Sequence, residues 1–88
     1  MKLVLSDNGW EDYLHWQEVD GKILTRLNVL IKECMRTPFK GTGKPEPLKG
    51  ALSGWWSRRV TQEDRLVYRV KGKGDDQCLE IAQCRIHY

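Results

Sequence analysis

The chain has 88 residues, which predicts a single domain over residues 1–88 and excludes a multi-domain enzyme. Its composition of 40% hydrophobic and 31% charged residues is typical of a soluble globular protein and excludes an intrinsically disordered chain. The 15 basic and 12 acidic side chains leave a net charge of +3, which is too small to indicate a nucleic-acid partner by itself.

The first part of the sequence predicts a strand followed by two helices. Residues 2–5 form a short apolar run typical of a strand, and the polar residues 6–8 after it are candidates for a helix N-cap. Apolar and aromatic side chains recur at helical spacing over residues 9–19, which predicts the first helix. A second helix follows, with Asp20 as its N-cap and an apolar stripe that continues until Pro38 ends it. Two short helices joined by a turn can cover one face of a sheet.

The segment 39–54 is predicted to be a long loop. It holds four glycines and two prolines, which exclude a regular helix and a central strand. A loop of this length in a small domain is often functional.

Strand patterns fill the rest of the chain. Residues 55–60, 65–70 and 78–88 are predicted strands, and turns are predicted over residues 61–64 and 71–76. The element order is therefore β-α-α-β-β-β. The predicted fold class is α+β, with two N-terminal helices packed on one face of an antiparallel β-sheet.

Alternation along these strands predicts which sheet face the helices cover. The side chains predicted to face the helices are Val60, Leu66, Tyr68, Val70, Ala82, Cys84 and Ile86. The side chains predicted on the opposite, solvated face are Arg59, Arg65, Arg85 and His87, with Glu46 and Lys49 in a loop over its edge. That face would combine cations with a titratable imidazole.

The positive charge is concentrated in the middle of the chain. Residues 40–69 hold seven basic and three acidic side chains, or +4, whereas residues 1–39 amount to −1 and residues 70–88 to zero. Trp55 and Trp56 are interleaved with this charge, and arginines beside aromatic rings suit phosphates and exposed bases. The alternative is a basic segment that only keeps a small domain soluble, and composition does not decide between the two.

The residue types on the predicted solvated face match the needs of RNA cleavage without a metal ion. That reaction needs a base for the ribose 2′-OH, an acid for the departing 5′ oxygen and cations for the charge that builds up at phosphorus. A carboxylate beside cations can act as the base, and an imidazole, with a reference pKa of about 6.5, can act as the acid. Glu46, His87 and the pair Arg65 and Arg59 can fill these roles. Taken alone, Glu46 can equally be an ordinary loop acid and His87 a surface histidine.

Cysteine usage and hydropathy indicate the cellular setting. Cys34, Cys78 and Cys84 are an odd number of cysteines without metal-ligand spacing, so we expect reduced, structural thiols and neither a metal nor another cofactor. No apolar stretch approaches the ~18 residues of a membrane span. The apolar segment near the N-terminus is too short for a signal peptide. We therefore expect a cytoplasmic protein with no membrane contact.

Several segments closely resemble the Txe/YoeB toxins of the RelE superfamily. The most specific are GKPEPLK, LSGWWSRR and RLVY in the middle of the chain, WEDYLHWQ near its start and CRIHY at its end. The resemblance covers nearly the whole chain and implies a RelE-like fold similar to that of small microbial ribonucleases. It also implies a ribosome-dependent mRNA endoribonuclease that blocks translation by cutting mRNA in the A site.

The resemblance also assigns roles to individual residues. By their match to the family's motifs, Glu46 is the general base, Arg65 the phosphate-stabilising arginine and His87 the general acid. Tyr88 matches a tyrosine that the family needs for activity. The further basic residues implied at the substrate-binding pocket are Lys49 and Arg59.

Partners are implied in the same way. They are a cognate antitoxin of the YefM/Axe type that neutralises the toxin, the ribosome with its mRNA, and a second copy of the toxin in a homodimer. Operator DNA is expected only indirectly, through the antitoxin complex. The alternative function is a non-catalytic module that binds RNA, or that inhibits another target as some superfamily relatives inhibit DNA gyrase.

The chain departs from the family pattern in three places. Asp64 stands where the family often has histidine, Leu5 replaces a frequent aromatic residue, and the hairpin at 71–77 is a few residues longer than usual. None of these changes removes an implied catalytic residue, although Asp64 can alter a contact with the substrate.

Overall fold

A computed structural model describes residues 1–86. The elements in chain order are β1 (Lys2–Leu5), α1 (Asp7–Val19), α2 (Gly21–Arg36), β2 (Glu46–Pro47), β3 (Trp56–Arg59), β4 (Arg65–Lys71) and β5 (Cys78–Gln83). Two single 3₁₀ turns lie at Gly50–Leu52 and Gly74–Asp76. The predicted α+β class, with two N-terminal helices on one face of a sheet, is confirmed. Within the part of the chain described, no helix is both long and apolar enough to span a membrane.

The sheet differs from the prediction in two details. Its strand order is β1-β5-β4-β3-β2, and β2 is an additional two-residue edge strand inside the predicted loop. The pairs β2–β3, β3–β4 and β4–β5 are antiparallel, whereas β1 runs parallel to β5. Strands joined by short turns pair antiparallel, but no hairpin joins β1 to β5, so no turn sets their relative direction.

The first helix begins two residues earlier than its apolar spacing predicts. Ser6 is the N-cap: its hydroxyl accepts a hydrogen bond from the Gly9 N–H at 3.0 Å and donates one to the Ala82 carbonyl at 2.8 Å. The first turn is polar, so hydrophobic periodicity does not detect it. The boundaries of α2 follow the prediction, because Asp20 caps its start and Thr37, just before Pro38, caps its end.

Helix α1 lies very close to β5. A Cβ atom at Gly9 would lie only 2.8 Å from the Ile81 carbonyl oxygen, so only glycine permits this approach. The contact brings the Ser6 cap and the start of α1 onto the last strand, and so fixes the helix hairpin on one face of the sheet.

The hydrophobic core lies between the helices and that face. Its buried side chains are Trp16, Leu27, Leu30, Ile31, Cys34, Val60, Leu66, Tyr68, Leu79, Ile81 and Cys84. The apolar stripe of α2 is therefore buried as predicted, and so are Val60, Leu66 and Tyr68 of the predicted inner face.

The predicted inner face of β5 is partly wrong. Leu79 and Ile81 are fully buried, whereas Ala82 is half-buried, and Ile86, which lies beyond the end of β5 at Gln83, is 58% exposed. Within the strand the reason is a β-bulge, since Tyr68 pairs with Ile81 and Val67 with Gln83, so that Ala82 is an extra residue. A bulge shifts the alternation by one residue, which is why Cys84 after it is buried as expected.

A buried arginine organises the first part of the long loop. Arg58, on the inner face of β3, has no exposed side-chain surface. Its Nε donates to the Tyr68 hydroxyl at 3.1 Å, and its Nη1 donates to Glu33 Oε1 at 3.1 Å. The main-chain carbonyls that accept from its Nη1 and Nη2 are those of Thr37 (2.6 Å), Lys40 (2.9 Å) and Thr42 (3.2 Å). One guanidinium therefore joins α2, β3 and β4 to residues 37–42.

The partners of Arg58 are themselves fixed. Burial raises the pKa of Tyr68 to about 12, so its hydroxyl stays protonated, and it donates to the Pro38 carbonyl at 2.5 Å. The Glu33 carboxylate accepts from the Thr42 N–H at 2.6 Å as well as from Arg58. These bonds, chiefly those from Thr42, hold the pKa of Glu33 below its ordinary value.

We expect Arg58→Ala to lower the free energy of unfolding by about 3–5 kcal/mol, because it leaves a carboxylate, a hydroxyl and three carbonyls without their donor. The neighbouring Arg59 is exposed, so Arg59→Ala is the matched control and should change stability by no more than about 0.5 kcal/mol. Urea denaturation of both variants measures the difference. Equal stabilities would contradict the organising role of Arg58.

Glu33 makes stability depend on pH in a defined direction. Because its pKa is lower in the folded than in the unfolded chain, its contribution is complete above the ordinary value of 4.5 and is lost as the pH falls through the folded-state pKa. Glu33→Gln keeps an acceptor oxygen but does not titrate. Between about pH 7 and about pH 3, we expect the variant to lose less unfolding free energy than the parent chain. Glu18→Gln, at an exposed position of α1, is the control, and a parent-like acid profile of the Glu33 variant would refute the assignment.

Candidate active site

The strand pairing places three of the predicted site residues on the outer face of the sheet, the face turned away from the helices. Glu46 of β2 pairs with Ser57 of β3, and Arg59 of β3 pairs with Arg65 of β4. Directly paired residues share a face, and so do residues two apart on one strand, such as Ser57 and Arg59. Arg58 and Tyr68 alternate with these positions and point into the core. The structure therefore brings a carboxylate and two guanidinium side chains together on neighbouring strands.

Glu46 belongs to a strand and is not a free loop acid. Pro45 and Pro47 flank it, and proline, which lacks an N–H, is tolerated at the sheet edge that β2 forms. The pairing continues past β2, where the Leu48 N–H donates to the Trp55 carbonyl at 2.9 Å. The Glu46 side chain is exposed, so an edge strand presents an accessible carboxylate.

A second contact fixes the loop just before β2. The Arg59 N–H donates to the Gly43 carbonyl at 2.7 Å. Gly43 has a φ of +86°, and a Cβ there would lie 3.1 Å from the Arg59 carbonyl oxygen, so glycine suits this position on both grounds. The loop is thus anchored to β3 on both sides of Glu46.

The two outer-face arginines are held differently. Arg59 has an exposed side chain, while α2 supports its main chain through Arg26, whose Nη2 donates to the Arg59 carbonyl at 2.9 Å. The Arg65 guanidinium folds over the turn at 61–64, where Nη1 donates to three carbonyls at 3.0–3.1 Å. Within residues 1–86, the hydrogen bonds found for this guanidinium use Nη1. Its Nε–Nη2 edge is the one suited to a two-pronged contact with a phosphate.

The basic block at 40–69 is less exposed than its sequence predicts. Arg58 is buried in the core side of the sheet. Arg69 is paired with Glu80 at 2.6 Å, and its guanidinium carbon lies 4.3 Å from the centre of the Trp55 ring. Lys49 is exposed at the start of the 3₁₀ turn at Gly50–Leu52, outside the pairs that join Glu46 to Arg65. The basic charge of the outer sheet face therefore comes from Arg59 and Arg65, whereas the exposed Lys40, Lys44 and Lys49 lie in the loop.

The last described residues leave the sheet but keep main-chain partners. The predicted strand 78–88 ends at Gln83. Helix α1 then holds Cys84, whose N–H donates to Asp12 Oδ2 at 3.1 Å and whose carbonyl accepts from Trp16 Nε1 at 2.9 Å. The turn at 61–64 holds Ile86. His87 and Tyr88, predicted as the general acid and as a residue needed for activity, lie outside the described residues.

The possible metal ligands and the cysteine thiols also bear on the chemistry of the chain. In the described part of the chain, no group of three or more His, Cys, Asp or Glu side chains could hold a metal ion. Burial raises the pKa of Cys34 to about 11 and that of Cys84 to about 12, so both thiols remain protonated at neutral pH. This agrees with their predicted role as small structural side chains.

Comparisons with known proteins give the same family as the sequence motifs. A family model described as "YoeB-like toxin of bacterial type II toxin-antitoxin system" matches residues 5–88. Toxin YoeB of Escherichia coli K12 is 58% identical over 88 residues that cover the whole of both chains. The chain belongs to the YoeB toxin family. The resemblance stated from the motifs is thereby confirmed.

Solved structures of family members share the whole fold. A YoeB/ParE toxin from Agrobacterium tumefaciens is 55% identical with a TM-score of 0.96, and each chain is covered in full. A YoeB from Staphylococcus aureus, solved as a dimer and in a heterotetrameric YoeB-YefM toxin-antitoxin complex, is 39–40% identical with a TM-score of 0.86. These alignments cover 100% of this chain and 98% of that one.

Proposed function

We propose that this YoeB-family toxin is a ribosome-dependent mRNA endoribonuclease. It would enter the ribosomal A site and block translation by cutting mRNA there through attack of a ribose 2′-OH. The observation that supports this proposal is the shared outer face of Glu46, Arg59 and Arg65. A module that only binds RNA has no need of an accessible carboxylate beside two guanidinium groups.

The proposed reaction is a transesterification at one phosphate. Glu46 takes the proton from the 2′-OH, whose oxygen attacks the adjacent phosphorus, and the bond from phosphorus to the 5′ oxygen breaks. Arg65 and Arg59 stabilise the negative charge on the five-coordinate phosphorus, and His87 gives a proton to the departing 5′ oxygen. The products are a 2′,3′-cyclic phosphate and a 5′-hydroxyl. All of these groups are side chains, so the proposed mechanism has no step that needs a metal ion or another cofactor.

The ribosome supplies what this small face lacks. Holding a substrate in reactive geometry can contribute about 7–11 kcal/mol to a reaction barrier. The described outer face offers only a few charged groups for this purpose. We infer that mRNA held in the A site provides the orientation, that Lys49 and Arg59 contact the RNA backbone, and that Tyr88 stacks on a base or holds the 5′ side.

The decisive variants are Glu46→Gln and Arg65→Ala in a single-turnover cleavage assay on ribosomes with a bound mRNA. We expect rate losses of about 10²–10⁴-fold for loss of the base and about 10²–10³-fold for loss of the cation. Arg69→Met is the control: it lies on the same strand but is paired with Glu80, so its rate should stay within about threefold of the parent.

Two outcomes of that assay would contradict the enzyme. If Glu46→Gln, Arg65→Ala and His87→Ala all cut as well as the parent, the assigned roles fail. If they still inhibit translation while neither they nor the parent cuts mRNA, the non-catalytic binding module is the correct function.

We also propose a cognate antitoxin as the partner that restrains this toxin. The Staphylococcus aureus relative forms a complex with YefM, and the exposed cationic outer face fits an acidic, disordered segment that folds as it binds. The complex would contact operator DNA through the antitoxin. As in the relative solved as a dimer, two copies of the toxin would associate. Ribosome and mRNA as targets place this activity in the cytoplasm.

The antitoxin proposal predicts a charge-dependent interface. The test uses the product of the neighbouring reading frame, expected to be a short acidic protein. With that protein, Arg59→Glu should weaken binding at least about tenfold, because it places a like charge in the contact. Lys22→Glu, at an exposed position at the start of α2, should leave the dissociation constant unchanged. A toxin isolated from its native host without any acidic partner would contradict the proposal.

A further inference from the structure

The residue just before the proposed general acid has an unusual backbone conformation. Ile86 has a φ of +65°, in the left-handed region. A β-branched residue is rare there, because its Cβ crowds the following carbonyl oxygen. Such a conformation persists only where surrounding contacts impose it. Contacts of the Ile86 main chain must therefore impose this conformation.

Asp64, the last residue of the turn at 61–64, and Arg65, the first residue of β4, bind the main-chain groups of Ile86. The Ile86 N–H donates to Asp64 Oδ1 at 2.6 Å, and the Ile86 carbonyl accepts from the Arg65 N–H at 3.2 Å. The first bond is short and ends on a carboxylate oxygen, and bonds to an ionised partner are the strong ones. Gln83 Nε2 adds only longer contacts, of 3.3 Å to the Arg85 carbonyl and 3.4 Å to that of Ile86.

Asp64 is itself held in place. Its second carboxylate oxygen, Oδ2, accepts from the Thr61 hydroxyl at 2.7 Å, and the same hydroxyl oxygen accepts from the Asp64 N–H at 3.0 Å. The Asp64 carbonyl also accepts from the N–H groups of Val60 and Thr61. The carboxylate that holds Ile86 is thus a fixed part of the turn.

We propose that Asp64 is a positioning residue for RNA cleavage. It holds Ile86, the residue immediately before the proposed acid, in the left-handed conformation. It does this from the same turn that carries Arg65, so the proposed phosphate-binding group and the proposed acid share one support. This inference rests on the proposed function, because it needs His87 to take part in the reaction.

The first test separates positioning from binding. In the ribosome assay, Asp64→Ala should lower kcat by about 10-fold to 10²-fold, the cost of misplacing a reacting group by about 1 Å, with KM unchanged. Asp64→Asn keeps an acceptor oxygen for the Ile86 N–H and should stay within about threefold of the parent. Asp64→Ser covers the case in which the alanine variant fails to fold. Its hydroxyl oxygen lies one bond closer to the main chain than Asp64 Oδ1, so it does not reach the Ile86 N–H, and the variant should show the same loss of kcat.

The second test uses glycine at position 86 as a rescue. Glycine adopts positive φ about as readily as negative φ, so it needs less help from Asp64. In the Asp64→Ala background, Ile86→Gly should therefore raise kcat at least about threefold above that of Asp64→Ala alone. A general loss of stability would not be repaired in this way. Glu63→Ala is the matched control, because Glu63 is an exposed acid in the same turn, and it should cut like the parent.

The outcomes distinguish this inference from the proposed function. If Asp64→Ala and Asp64→Ser keep the parent kcat while Glu46→Gln and His87→Ala lose activity, Asp64 does not position the acid, although the enzyme proposal stands. A loss of kcat that glycine at position 86 fails to restore also overturns the inference. If His87→Ala cuts as fast as the parent, the proposed mechanism fails first.

Discussion

The buried guanidinium of Arg58 is the interaction on which the rest of the structure depends. A charge inside a small core is costly unless its hydrogen bonds are complete. Here a carboxylate, a hydroxyl and three main-chain carbonyls accept from one side chain. Three of these acceptors belong to residues 37–42, a glycine- and proline-containing stretch that cannot form a helix or a strand ladder of its own. Arg58 thereby fixes the conformation of the loop that leads to Glu46 at the sheet edge.

Adjacent arginines of β3 have opposite roles because a strand alternates its faces. Arg58 points into the core and fixes the fold, whereas Arg59 points outward and carries an accessible charge. The same alternation separates Tyr68, which supports Arg58, from Arg69, which is paired with Glu80. Two of the seven basic side chains that the sequence concentrates in residues 40–69, Arg58 and Arg69, are therefore buried or paired with a carboxylate. The outer face keeps the charges of Arg59 and Arg65 near Glu46. So few groups are compatible with the proposed function, in which the ribosome orients the mRNA.

The sequence predicts those features of the fold that depend on residues close together in the chain. The Asp20 cap, the stop at Pro38 and the shared face of Arg59 and Arg65 all follow from local patterns, and the structure contains them. The inner face of β5 could not be predicted, because the bulge at Ala82 arises from pairing with β4 and leaves no local signal. The burial of Arg58 is also hidden, since its carbonyl partners lie 16–21 positions away and any residue type supplies a carbonyl. The edge strand at Glu46 could not be predicted either, because the flanking prolines argue against a strand and only the pairing with β3 defines it.

The proposed catalytic groups are positioned by two separate supports that meet in the β3–β4 hairpin. On one side, Arg58 and the Gly43 contact fix the loop before Glu46, so the base depends on β3. On the other side, α1 binds both main-chain groups of Cys84, while Asp64 of the turn at 61–64 and the Arg65 N–H of β4 bind those of Ile86. Since that turn also begins at the end of β3 and leads into Arg65, a shift of the hairpin would move the cation and the support of the acid together. The base is held separately, through the pairing of β2 with β3. The register between β2 and β3, which only two residue pairs define, is therefore the weakest constraint on the geometry of the reaction.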